Sequence, residues 1–254
     1  MELLSPRLPS LKSSRKGSGP QNSEVEDRLS MSMPACFAAF VGLAMQIVAH
    51  PQPPQILQIH REPLKPGSEA AYQEIEEDTA RICAQLRCPH PYLGIESLIG
   101  SREVWFFNGY ESPAEQQQVV DDYATNAPLL AALKRNSRRK ASLTGEPVGV
   151  FANYRKDLSR GVPWILGQGR FLVITVTKSH PRIDGTAFEA ADGTRFIVLP
   201  VQTRSEADAA AAAAGPESRV FAVRPSWSLP AKEWVAADSE FWHWRAPNKT
   251  ESKD

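Results

Sequence analysis

The segment Gln55-Ile56-Leu57-Gln58-Ile59-His60-Arg61-Glu62 reads as a β-strand, and its alternation places Ile56, Gln58, His60 and Glu62 on one face. A second apolar run, Glu103-Val104-Trp105-Phe106-Phe107, places Glu103, Trp105, Phe107 and Gly109 together in the same way. If these two faces line a cavity, His60 is a proton-transfer group beside an aromatic wall. Gln58, His60, Glu62, Trp105 and Phe107 are then the candidate ligand-pocket residues. Leu57 and Ile59 suit the opposite, helix-covered side. Glu62 is placed to partner a buried imidazole, and in the competing reading that is all His60 does: it is a hydrogen-bonded histidine in a sheet.

Other groups carry less chemistry. His90 stands between Pro89 and Pro91 and reads as structural. Glu74, Glu76, Glu77 and Asp78 read as a solvated helix surface. Lys134 to Lys140 holds five cations in seven residues, favoured near a helix C-terminus by its dipole. They read as solvated, with anion binding as the alternative. No Gly-rich phosphate loop, nucleophile elbow or His-Glu-x-x-His pattern occurs. The sequence therefore assigns no catalytic residue, no metal and no cofactor. Cys83 and Cys88 can pair only if the intervening helix ends before Cys88.

The 254 residues include 29 Lys plus Arg and 29 Asp plus Glu, a balance that argues against a nucleic-acid binder. Hydrophobic residues at 42% and charged residues at 23% suit a folded globular core. Residues 1–30 contain seven Ser, three Pro and two Gly without apolar periodicity and read as disordered. Pro34 to Ala49 is then 16 residues without a charge, shorter than the roughly 20 needed to span a bilayer. It has the length of a secretory apolar region and is followed by Pro51-Gln52-Pro53-Pro54. The expectation is export to a periplasmic or extracellular space after cleavage near Ala49, leaving no stable membrane span. A buried helix or a membrane anchor is the competing reading.

The supporting elements fall into two sets. Over residues 55–158 the order is β-α-β-β-α-β, the ferredoxin-like arrangement. Its first helix runs over 69–87 with Ser68 as cap, Ser112-Pro113-Ala114-Glu115 opens the second, and Pro128 breaks or kinks that helix. Over residues 168–244 the order is β-β-β-α-β, the same pattern with one helix deleted. Asp192-Gly193 marks a hairpin, and Ser205-Glu206-Ala207-Asp208 caps an alanine-rich helix. Trp227, Trp234, Phe241, Trp242 and Trp244 form an aromatic C-terminal segment that covers the sheet or, alternatively, makes a contact surface. Residues 245–254 read as a disordered tail. The fold class expected is α+β: two tandem ferredoxin-like units, the second lacking a helix, with antiparallel sheets packed as an α/β barrel.

The run Ile56-Leu57-Gln58-Ile59-His60-Arg61-Glu62-Pro63-Leu64-Lys65-Pro66-Gly67, an amphipathic helix and the Glu103–Tyr110 strand resemble the dimeric α/β-barrel superfamily, which includes antibiotic-biosynthesis-type monooxygenases and NIPSNAP-like proteins. The resemblance implies sheets enclosing a cavity, here within one chain. It carries over no catalytic residue, because the Asn, Trp and His arrangement of the haem-degrading branch is not matched. Three functions follow: an exported small-ligand binder, a cofactor-independent monooxygenase-like enzyme, and a protein-interaction module. The sequence sets no oligomeric state.

Overall fold

Eight strands close on themselves in the order β1-β3-β2-β8-β5-β7-β6-β4, every neighbouring pair antiparallel. They are β1 (Ile56–Pro63), β2 (Leu93–Ser97), β3 (Glu103–Tyr110), β4 (Val148–Tyr154), β5 (Phe171–Thr177), β6 (Thr186–Ala190), β7 (Arg195–Val201) and β8 (Ser218–Val223). Among the described residues five helices accompany them: α1 (Glu69–Gln85), α2 (Pro113–Thr125), α3 (Ala127–Lys140), α4 (Arg204–Ala214) and α5 (Lys232–Ala237). This computed structural model describes residues 52–161 and 164–242. The expected leader, the uncharged 34–49 segment, Trp244 and the 245–254 tail lie outside the described residues. The strands form one continuous closed sheet rather than two facing ones, and no helix stands between β5 and β6.

Local chemistry sets most boundaries. Pro128 ends one helix and opens the next: α2 stops at Thr125, and the proline falls in the first turn of α3, where its missing N–H has no intrahelical partner to lose. Ser112 accepts from the Glu115 amide at 3.1 Å and caps α2 as expected. Two expected caps are different. Ser68 makes no capping bond, and its hydroxyl donates back to the Lys65 carbonyl at 2.6 Å, closing the turn instead. The alanine-rich helix is capped by Thr203, two residues before Ser205, in a reciprocal box with Glu206.

The interior corrects the expected facing of β1. Leu57 and Ile59, not Gln58 and His60, point into the barrel, where they join Trp105, Phe107, Phe188, Phe196 and Phe221 in one cluster. An eight-stranded barrel has an interior just wide enough for side chains to fill. It therefore takes the most apolar face of each strand. Trp105 sits at the centre, its ring 4.7 Å from Phe221 and 6.3 Å from Phe196 by centroids.

Outside, α1 and α3 cover β1, β3 and β2, with Tyr72, Tyr92, Val104, Phe106 and Trp227 packed between the layers. Asn136 on α3, almost fully buried, donates to Asp78 and Thr79 of α1 at 3.0 Å each and locks the two helices together. At the end of α1 the chain turns through Arg87, at φ 55°, and Cys88 folds back to form a disulfide with Cys83, their Cα atoms 4.7 Å apart. The helix does end in time for pairing. A loop this short constrains the unfolded chain modestly, so the paired substitutions Cys83→Ser and Cys88→Ser are expected to cost about 2 kcal/mol. Urea unfolding should show a lower midpoint with an unchanged slope.

Candidate functional site

The five residues singled out in the sequence divide between two sides of the barrel wall. Trp105 and Phe107 are inside, while Gln58, His60 and Glu62 are outside, beneath the helices. They do not line one cavity, and His60 does not face Trp105. Trp105 instead donates its Nε1–H to Glu103 at 2.7 Å, under the Arg61 guanidinium. Arg61 and Arg219 both pair with Glu103, at 2.9 and 3.0 Å, and cover that end of the interior.

The outer group is a buried ionic cluster that sequence reasoning missed. Lys140, the last residue of α3, places its Nζ 2.9 and 3.0 Å from the Glu62 carboxylate and 2.7 Å from Glu76. Tyr72 donates to Glu62 at 2.5 Å, and His60 Nε2 lies 3.1 Å from the other Glu62 oxygen. Glu76 and Lys140 were expected on solvated surfaces. Glu76 is 1% exposed, because it is one helical turn from Tyr72 on the face that α1 turns to the sheet. The signal available was that spacing; the cation that would meet it lay 64 residues further on.

Burial pushes the Glu62 carboxyl up, but the His60 hydrogen bond, the Lys140 charge and the Tyr72 bond together outweigh it and lower the pKa from 4.5 to about 2. Burial dominates at Glu76 and raises its pKa despite Lys140. Burial opposes the charge on Lys140, yet the Glu76 and Glu62 carboxylates raise its pKa overall. The cluster ties β1, α1 and α3 together. It is a positioning and stability element, since none of its members lines the pocket described next.

That pocket, about 360 Å³ and partly open, lies at the opposite barrel mouth from Arg61 and Glu103. Leu57 and Phe107 form its floor, from the mouth-proximal parts of β1 and β3. Trp164 and Leu166 enter from the connector before β5, and Trp234 comes from α5. Gln52, Glu111, Gln168 and Glu233 contribute the polar groups. Trp242 fastens the aromatic segment by donating to the Gly167 carbonyl at 2.6 Å, with the Trp234 ring tilted against it at 5.5 Å between centroids. Gly167 is needed here: the Trp234 ring lies where a Cβ would be. Arg170 pairs with Asp238 and sits over the Phe241 ring at 3.7 Å, anchoring the same segment. Trp234, Phe241 and Trp242 thus cover a barrel mouth, whereas Trp227 packs outside the barrel against Tyr72.

His90 is the one titratable ring among these lining residues. Its Nε2 lies 2.8 Å from the Gly109 carbonyl, and it stacks on Tyr110 at 4.7 Å. With Nε2 donating to that carbonyl, Nδ1 is the remaining acceptor. Tyr110 in turn donates to Gln58 at 3.0 Å, so Gln58 reaches the pocket wall only through two other side chains. The proline-flanked loop hid this, since flanking residues do not show which strand end a loop packs against. Among the described residues no group of three or more His, Cys, Asp or Glu side chains is arranged to hold a metal, and no helix is long and apolar enough to cross a membrane.

No protein-family model and no curated protein matches the chain. Three solved structures resemble it. A candidate monooxygenase from Fusobacterium nucleatum aligns at 11% identity and TM-score 0.42, covering 70% of this chain and 94% of that one. A candidate monooxygenase from Lactobacillus acidophilus aligns at 8% identity and TM-score 0.38, covering 68% and 94%. An anthrone oxidase-like protein aligns at 13% identity and TM-score 0.32, covering 78% and 81%.

Removing the buried cation leaves two carboxylates without compensation, so Lys140→Met is expected to cost about 3–5 kcal/mol in chemical denaturation. The pH dependence has a defined sign. Glu62 has a folded pKa of about 2, below its ordinary 4.5, so its stabilisation is full above pH 4.5 and lost as the pH falls toward 2. Glu76 acts in the adjoining window, its raised pKa making it most favourable below 4.5 and less so as the pH rises. Thermal melts of Glu62→Gln are expected to lose less stability than the parent between pH 4.5 and 2.

Proposed function

We propose that this chain is an exported binding protein whose barrel mouth takes a small, largely apolar ligand. The observation that carries the reading is the pocket built from Leu57, Phe107, Trp164, Leu166 and Trp234 at the end of an otherwise filled barrel. Ligand sites are concave, mainly apolar and aromatic, with a few polar groups to orient the guest, and barrel mouths are among their usual places. We read the barrel as two ferredoxin-like units in tandem, over residues 55–158 and 168–244. The orders β4-β1-β3-β2 and β8-β5-β7-β6 support this, because each sets its four strands in the same succession. Export is supported by the uncharged 34–49 segment and by the Cys83–Cys88 disulfide, a bond that persists in oxidising compartments.

An enzymatic reading, cofactor-independent and oxygenase-like, is favoured by one observation only. His90 lines the pocket with Nε2 committed to Gly109, which leaves Nδ1 to take a proton from a bound ligand. Binding is the stronger reading, since the pocket walls supply contact area whatever chemistry follows.

Titration with the uncharged dye Nile red tests the pocket. Saturable one-to-one binding is expected, weakened about tenfold by Trp234→Ala, equivalent to about 1.4 kcal/mol. The exposed Phe151→Ala, on the outside of β4, should have no effect. Binding insensitive to Trp234→Ala, or no saturable binding, contradicts the reading. For export, intact mass measurement of protein from its native host should find a chain beginning just after Ala49. A soluble cytoplasmic protein retaining residues 1–50 contradicts it.

A further inference from the structure

We propose that the ligand of the barrel mouth is an organic monocation, an amine or quaternary ammonium group carried on an apolar body. This rests on the pocket being a binding site and adds the charge of its occupant. The two formally charged residues among the described lining are both acidic, Glu111 and Glu233, and the lining contains no Lys or Arg. Both carboxylates are exposed to solvent, and neither forms an ion pair among the described residues. Arg170, just before β5, is already paired with Asp238 and sits over Phe241, and Lys232 of α5 is exposed and is not among the pocket-lining residues.

The walls complement that charge. Phe107, Trp164 and Trp234 line the same space. Aromatic faces attract cations within about 6 Å of the ring, tryptophan most strongly, and walls of this type recognise quaternary ammonium groups. An anion would meet two carboxylates and no counter-charge, so the site also discriminates against one by repulsion. An uncharged ligand of the same shape would gain the apolar contacts alone.

The test uses the full chain and three probes of one shape: phenethyltrimethylammonium, its uncharged carbon isostere (3,3-dimethylbutyl)benzene, and 3-phenylpropionate. Binding is read from tryptophan fluorescence and by calorimetry, above the histidine titration range. The ammonium probe is expected to bind about tenfold more tightly than the isostere, with the carboxylate weakest and the preference reduced by added salt. Combining Glu111→Gln with Glu233→Gln should bring the ammonium and isostere affinities together. If the isostere binds as tightly as the ammonium probe, or if the double variant keeps the preference, the inference fails while the pocket stands. If neither these probes nor Nile red binds, the inference and the binding function fail together.

Discussion

An eight-stranded barrel has room inside for side chains and for little else, and every strand of this chain turns one face to that interior. Closure within one chain also removes the free edges at which a sheet would pair with a neighbour, since β2 joins β8 and β4 joins β6. Once Trp105, Phe188, Phe196 and Phe221 occupy the middle, a ligand has nowhere to go but an end. One end is covered by Arg61, Glu103 and Arg219. The other is lined by Leu57 and Phe107 and bounded by the aromatic segment that follows β8.

The same constraint determines what lies outside. A strand whose apolar face is inside presents its polar face to the helices, and on β1 that face is Gln58, His60 and Glu62. A buried carboxylate there needs a counter-charge, and Lys140 provides it from the last turn of α3. The helix layer is consequently held by ionic and hydrogen-bonded contacts as well as apolar ones, with Asn136 bridging to α1 and the Cys83–Cys88 bond closing the end of that helix.

Much of this was legible in the residues. Val148–Tyr154 and Phe171–Thr177 coincide with the expected strands because β-branched and aromatic runs bounded by turn residues leave little choice. Pro128 divided its helix because a proline has no amide hydrogen to give. What was not legible depended on partners distant in sequence. The facing of β1 could not be read from β1 alone, since alternation defines two faces without saying which one a closed barrel encloses. Glu76 and Lys140 each look like surface charges and become buried only as a pair. His90 belongs to the pocket because its loop packs against the end of β3, a tertiary fact absent from its flanking prolines. The aromatic C-terminal residues could be seen as a cover, and the structure supplies what they cover.

Side chains fill the middle of the barrel, and the mouth between Phe107, Trp164 and Trp234 is the apolar space proposed for a guest. Xenon occupies apolar cavities according to space alone, without regard to charge or hydrogen bonding. Diffraction from crystals of the protein pressurised with xenon distinguishes the mouth from the barrel middle as the open space. Xenon density is expected at the mouth beside Leu57 and Trp234, and none beside Trp105. Density among Trp105, Phe196 and Phe221, with the mouth empty, would contradict it.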